Sequence, residues 1–164
     1  MDKIASIRTG GQTGVDRAVL FIARKYNIPI VGWCPKNGWA EDMPRSPGIR
    51  ALYPELKETP EEDVSQRTKW NARDSHATLI ISPKLSKFSK GTNLTEQTAK
   101  EYKRPYLEVG SEEDIDKIID WLNTLGNELT LNIGGPRASE CPEAYNITIN
   151  ILEKVLQTVN NIKS

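Results

Sequence analysis

Histidine, cysteine and phenylalanine are nearly missing from this 164-residue chain, which holds one His, two Cys and two Phe. Cys34 and Cys141 lie far apart, so they offer neither metal-type spacing nor a disulfide framework. The single histidine, His76, stands at an expected strand entrance without catalytic partners in view, and it reads as structural. Net charge is missing too. Lys plus Arg and Asp plus Glu each total 22, which leaves no bulk electrostatic footprint for nucleic acid or an anionic membrane. No apolar run approaches the ~20 residues of a membrane span, and Met1 to Ile7 contain no signal-peptide core. The expectation is a cytoplasmic protein with neither a nucleic-acid nor a membrane partner. Its length fits one domain, residues 1–164, and 37% hydrophobic with 27% charged residues is a globular balance, not a disordered one.

What is present alternates between strand and helix patterns. Ile4 to Arg8 is a short β-type run that ends at Gly10-Gly11-Gln12-Thr13-Gly14. Behind it Val15, Ala18, Val19, Ile22, Ala23 and Tyr26 recur at helical spacing. A second strand is expected at Ile28 to Gly32, with Pro29 limiting it to a strand start or edge. From Trp33 to Pro60 periodicity stops. A loop of that length is uncommon, and its Trp33, Trp39, Leu52, Tyr53 and Leu56 predict an ordered segment covering the carboxyl edge of the sheet. Thr59-Pro60-Glu61-Glu62 has the form of a helix start, with Thr as cap and Pro at the first position. That helix is expected to reach Asp74, carrying Arg67, Trp70, Asn71, Arg73 and Asp74 on a polar half.

Ala77 to Ser82 is a continuous apolar strand of the kind covered on both faces. A loop carrying Gly91-Thr92, a helix to Tyr102, a strand at Pro105 to Val109 and a helix through Ile115 to Leu125 follow. Leu129 to Ile133 makes another strand and ends at Gly134-Gly135-Pro136-Arg137, before a last helix over Tyr145 to Val159. The implied architecture is α/β, Rossmann-like and doubly wound, with a mainly parallel sheet of about five or more strands flanked by helices.

Ligands of open parallel sheets lie beyond the carboxyl ends of the strands. Three strand ends here lead through glycine into helices: Gly10 to Gly14, Gly91-Thr92, and Gly134-Gly135. Any one of these alone reads as a tight turn, but three on one edge favour an anion, with phosphate the natural ligand. Arg137, Lys36, Arg67 and Lys90 are the candidate cationic donors. Trp33 and Trp39 are open to stacking on or covering a ligand and equally to a place in the core, and Asn71 joins Arg67 on the polar helix. Gln12 breaks the dinucleotide fingerprint, and no glycine-rich loop ends in Gly-Lys-Ser/Thr. Glu41-Asp42 has the chemistry of a base or metal ligand, though adjacent loop acids are usually solvated; Asp16 and Arg17 are expected to pair locally. Cys34 beside Lys36 reads as a small buried residue before a nucleophile, and Cys141 likewise.

Five segments carry a family resemblance. They are Gly10 to Ala18; Gly32 to Lys36 with Ala40 to Asp42; Tyr53-Pro54 with Glu58 to Pro60; Arg67 to Ser75; and Asn132 to Glu140. In that order they resemble the family of putative molybdenum carriers, relatives of the molybdenum cofactor carrier proteins. The resemblance implies a Rossmann-like fold similar to the lysine-decarboxylase-like nucleotide-binding proteins. It also implies homo-oligomers that bind molybdenum cofactor, a pterin dithiolene with one phosphate and an oxo-molybdenum group. Carried over to this chain, Gly11, Gln12, Thr13 and Gly14 line the anion site, and Gly91, Thr92, Gly135 and Arg137 face it. His76 stands where the family usually has Asp, and Lys90 where it has a second Gly.

The function expected first is therefore a carrier that protects the cofactor and hands it to a molybdoenzyme acceptor. The alternative is an enzyme on a nucleoside phosphate, such as a phosphoribohydrolase, whose known motif is Pro-Gly-Gly-x-Gly-Thr-x-x-Glu. Here Gly91-Thr92 is retained, but Glu96 comes one residue late, a rotation of about 100° on a helix. A nucleotide-sensing module ranks last.

Overall fold

The computed structural model describes residues 2–83 and 90–162. Four strands form one parallel sheet: β1 (Ile4–Arg8), β4 (Ala77–Ile81), β5 (Tyr106–Val109) and β6 (Leu129–Gly134), in the order β1-β6-β4-β5. Five α-helices flank it: α1 (Val15–Lys25), α2 (Val64–Arg73), α3 (Lys90–Glu101), α4 (Ile115–Asn123) and α5 (Ala144–Val159). A separate two-stranded ribbon pairs β2 (Trp33–Cys34) with β3 (Lys57–Glu58). Beyond β1 the edge is extended by the segment around Ile30. The Ile7 amide donates to the Pro29 carbonyl at 2.9 Å, and the Val31 amide to the Ile7 carbonyl at 2.9 Å.

The order in space acquires a simple form when counting begins at β6. Then β6, β1, the Ile30 segment, β4 and β5 are strands one to five, and they lie side by side as 3-2-1-4-5, the doubly wound order. The end of α5 accordingly lies beside the start of β1. Asn160 accepts from the Ile4 amide and donates to the Ile4 carbonyl, each at 2.9 Å. The winding direction reverses between β6 and β4, which is where a ligand crevice belongs.

The two faces of the sheet differ in chemistry. Leu129, Leu131, Ile133, Ile7 and Leu79 join Val15, Val19, Ile22, Ile151, Leu152 and Val155 of α1 and α5 in the main core. Alternate residues carry a polar ladder instead. Ser6 and Thr130 share a hydrogen bond at 2.8 Å, and Asn132 donates to the Thr78 hydroxyl at 3.3 Å. His76 belongs to this ladder's edge, its Nδ1 accepting from the Thr130 amide at 2.8 Å. Polar groups buried between a sheet and its helices must be paired in this way.

Three local expectations shift. The helix expected from Thr59 begins at Val64, where the Asp63 side chain accepts from the Ser65 amide at 2.8 Å. Thr59 is instead drawn to the ribbon, its hydroxyl donating to the Cys34 carbonyl at 3.3 Å. The second strand makes only a bridge at Ile30, and regular pairing is displaced to Trp33–Cys34. Gly91 and Thr92 lie in the first turn of α3 and not in a loop; Lys87, Phe88 and Ser89 fall outside the described residues. The 33–60 segment is ordered by Cys34, Ala40, Ile49 and Leu56, all fully buried.

Gly134 and Gly135 form a natural contrast. A methyl on Gly135 would collide with the Ile81 carbonyl oxygen, whereas one on Gly134 would meet nothing within 4 Å. Gly135→Ala should destabilise the protein by about 1–3 kcal/mol, an overpacking cost, and Gly134→Ala by no more than about 0.5 kcal/mol. Urea unfolding of the two variants checks both values.

Candidate functional site

At the β6–β4 reversal the structure opens a cavity of about 490 Å³, within the range of about 300–1,000 Å³ for small-molecule sites. Gly10 and Gln12 bound it behind β1, Asp16 comes from α1, and Thr95 from α3. From α2 come Val64, Arg67, Thr68 and Asn71, spaced i, i+3, i+4 and i+7 and therefore on one face. The end of β6 supplies Asn132, Ile133, Gly134 and Gly135, followed by Arg137 and Glu140.

Its floor is an ion pair. Arg67 Nη1 lies 3.2 Å from Asp16 Oδ2, with side chains only 13% and 6% exposed. Burial pushes the Asp16 carboxyl above its ordinary range, and the neighbouring Arg67 only partly offsets that. The same Oδ2 accepts from the Gln12 amide at 3.2 Å. Asp16 also sits in the first turn of α1, where the helix dipole favours an acid. Gly10 is small because the Arg67 guanidinium fills the place its Cβ would need.

Asp16 and Arg17 do not pair with each other. Successive helical residues face different ways, and Arg17 reaches Asp42 at 2.8 and 2.9 Å. Glu41 and Asp42 are therefore both engaged across the fold, Glu41 partly buried and Asp42 at the exposed surface. Glu41 accepts from the Thr13 hydroxyl, and from the Ser139 hydroxyl and amide at 2.6 and 3.2 Å. Burial pushes the Glu41 carboxyl up, but the bonds from Ser139 and Thr13, with Arg137 nearby, outweigh it and hold the group below its usual range. The Cys34 thiol is buried, and that burial with Glu58 nearby pushes its pKa up to about 11, the opposite of a reactive thiolate. Cys141 is likewise buried and its thiol shifted up, burial being the first cause and Glu143 the second.

Of the expected binding residues, Gly10, Gln12, Arg67, Asn71, Gly134, Gly135 and Arg137 are brought together around the cavity. Gly11, Thr13, Gly14, Trp33, Lys36 and Thr92 are not among its lining residues. Three amides of the first glycine turn and the helix start behind it are spoken for within the chain. Gln12 donates to Asp16, Thr13 to the Gln12 side chain at 3.0 Å, and Val15 to the Pro136 carbonyl at 3.2 Å. Trp33 packs edge-on against Trp70 and donates from its indole to Asp74 at 3.0 Å. Lys36 and Trp39 line a smaller cavity of about 350 Å³, which shares Val64 with the first as a lining residue. The side chain at Lys90 and the environment of Gly91 fall outside the described residues.

Asp16, Val64, Thr68, Thr95, Asn132, Ile133 and Glu140 also line the cavity without having been expected there. The 64/67/68/71 spacing on α2 was the signal available in the sequence. Asn132, a buried polar residue in an apolar strand, was another. Among the described residues no three His, Cys, Asp or Glu side chains gather into a metal site.

Comparison with known proteins adds two findings. Residues 7–156 match the circularly permutated YpsA SLOG family. A crystal structure from Syntrophus aciditrophicus SB, described as a putative molybdenum carrier protein, is 42% identical. That match covers 94% of this chain and 96% of the other, with a TM-score of 0.84. No curated protein gave a significant match.

Because Arg67 is nearly buried, removing its counter-charge is expected to be costly. Asp16→Asn keeps the shape but leaves the guanidinium uncompensated, and should destabilise the fold by about 3 kcal/mol. Denaturant midpoints of the variant and wild type measure it.

Proposed function

Because the chain belongs to the circularly permutated YpsA SLOG family, and with its 42% identical relative to the putative molybdenum carrier proteins, we propose that it carries molybdenum cofactor. The cargo would be a phosphorylated pterin dithiolene bearing oxo-molybdenum, held in the switch-point cavity until a molybdoenzyme accepts it. The observation that carries this reading is the charge balance of the cavity. Its two arginines, Arg67 and Arg137, are matched among the described lining residues by two acids, Asp16 and Glu140. Such a wall has no surplus positive charge for a di- or triphosphate. It suits a flat heterocyclic ligand with a single phosphate better than a nucleoside polyphosphate, that phosphate met by Arg137 at the exposed side.

In this reading each residue has a separate task. Gly134 leaves open space at the end of β6, where ligand can approach the strand. Asn132 and Thr95 place uncharged polar side chains on the cavity wall, which suits a heterocyclic ring. Asn71 sets the wall itself, gripping the Trp33 backbone through its carboxamide at 2.8 and 2.9 Å. The molybdenum arrives bound to the dithiolene and needs no ligand set from the protein.

The hydrolase alternative depends on Glu96, and its surroundings favour the carrier. Glu96 accepts from the Tyr106 hydroxyl at 3.3 Å and pairs with Lys100 at 3.1 Å. It is not a lining residue of the cavity, where Thr95 takes the neighbouring place.

Protein purified from a host that makes the cofactor should release, on denaturation and oxidation, one fluorescent pterin per chain with matching molybdenum. Absence of both signals, even after cofactor is added without oxygen, would overturn the carrier reading. Arg137→Ala should weaken a phosphorylated pterin about tenfold more than its dephosphorylated form, about 1.4 kcal/mol. Equal losses in isothermal titrations of the two ligands would make Arg137 a support of the fold.

A further inference from the structure

The Glu41 carboxylate rests in a cradle whose chemistry is that of a phosphate site. Its donors are the Thr13 hydroxyl, the Ser139 hydroxyl at 2.6 Å and the Ser139 amide at 3.2 Å. The Ala138 amide stands behind them, donating to the Thr13 oxygen at 2.9 Å. Arg137 connects this cradle to the main cavity, which it also lines. Its Nε lies 3.8 Å from Glu41 and 3.8 Å from Glu140, within ion-pair range but beyond a hydrogen bond. Among the described residues its guanidinium makes no hydrogen bond, so it is steered by charge without being locked in place.

We propose that Glu41 is a displaceable internal anion, whose carboxylate fills an oxyanion subsite that the cargo's phosphate takes over on binding. The inference rests on the reading of the cargo as phosphorylated. Two anions cannot share one set of hydroxyl, amide and guanidinium donors, since like charges at this separation repel. The phosphate therefore enters as the carboxylate leaves. The backbone at Glu41 need not move with it. The Glu41 amide is tied to Gln12 Oε1 at 2.9 Å, Ala40 and Met43 bridge around it, and Asp42 is anchored by Arg17. Rotation of one side chain into solvent empties the subsite, leaving the 33–60 segment in place. Until then the internal anion lowers apparent affinity in proportion to the time it spends seated. The same competition returns Arg137 to its carboxylates when the phosphate departs, which suits a protein that must release what it holds.

The test uses inorganic phosphate as the probe, so it does not depend on the identity of the cargo. Phosphate affinity is read from the rise in thermal midpoint with phosphate concentration, which works for variants of unequal stability. Glu41→Gln should bind phosphate at least tenfold more tightly than wild type. Adding Ser139→Ala to that variant should abolish the gain. A Glu41→Gln protein that binds phosphate no better than wild type overturns the proposal, as does a gain that survives loss of Ser139. A protein that takes up no pterin, even when cofactor is added without oxygen, but shows the Glu41→Gln gain defeats the carrier reading alone. Stoichiometric pterin without that gain defeats this inference alone.

Discussion

Asp16 and Arg67 meet at 3.2 Å in the interior, and the arrangement of the site depends on that meeting. The pair joins the first turn of α1 to the middle of α2, two elements that share no strand. Its acid fixes the Gln12 amide, and its guanidinium occupies the space over Gly10. A buried ion pair gains little net stability after desolvation, so its contribution is directional. It leaves α2 one way to lie across the sheet, with Val64, Thr68 and Asn71 facing the same cavity as Arg67.

The sheet prepares for that cavity by dividing its labour between faces. The side turned to α1 and α5 is hydrocarbon and supplies most of the driving force for folding. The side turned to α2 and α3 holds hydroxyls and carboxamides in paired rungs, Ser6 with Thr130 and Thr78 with Asn132. A polar face can border a ligand space without exposing a greasy wall to water. The reversal of winding between β6 and β4 then sets where that border opens.

Much of this was legible in the residues, and the failures have physical causes. The alternation of strands and helices, the apolar stripes of α1 and α5 and the glycine turns all report local rules, which the fold obeys. The start of α2 was misplaced because Thr59-Pro60-Glu61-Glu62 satisfies every local condition for a helix start. Pairing of Lys57–Glu58 with Trp33–Cys34, and the Thr59 hydroxyl on Cys34, override it from a distance. Long-range partnerships were the least visible. Nothing near Glu41 in sequence announces Thr13 or Ser139, and nothing near Asp16 announces Arg67. Gln12 was expected to face a ligand, yet its carbonyl oxygen is spent on the Thr13 and Glu41 amides while the residue also borders the cavity.

The central position of β6 has a consequence for how the chain is made. β1 and β4 are neighbours of β6 and not of each other, so both remain bare-edged until the last of the strands is synthesised. Until β6 is present, those two hydrogen-bonding edges lack the strand that lies between them. Pairings such as Ile4 with Leu129 span about three quarters of the sequence, a topology that slows folding and leaves unpaired edges open to aggregation. β6 thus comes last in chain order of the strands it joins, linking the β1 and β4–β5 portions of the sheet and bringing its end of the cavity wall with it.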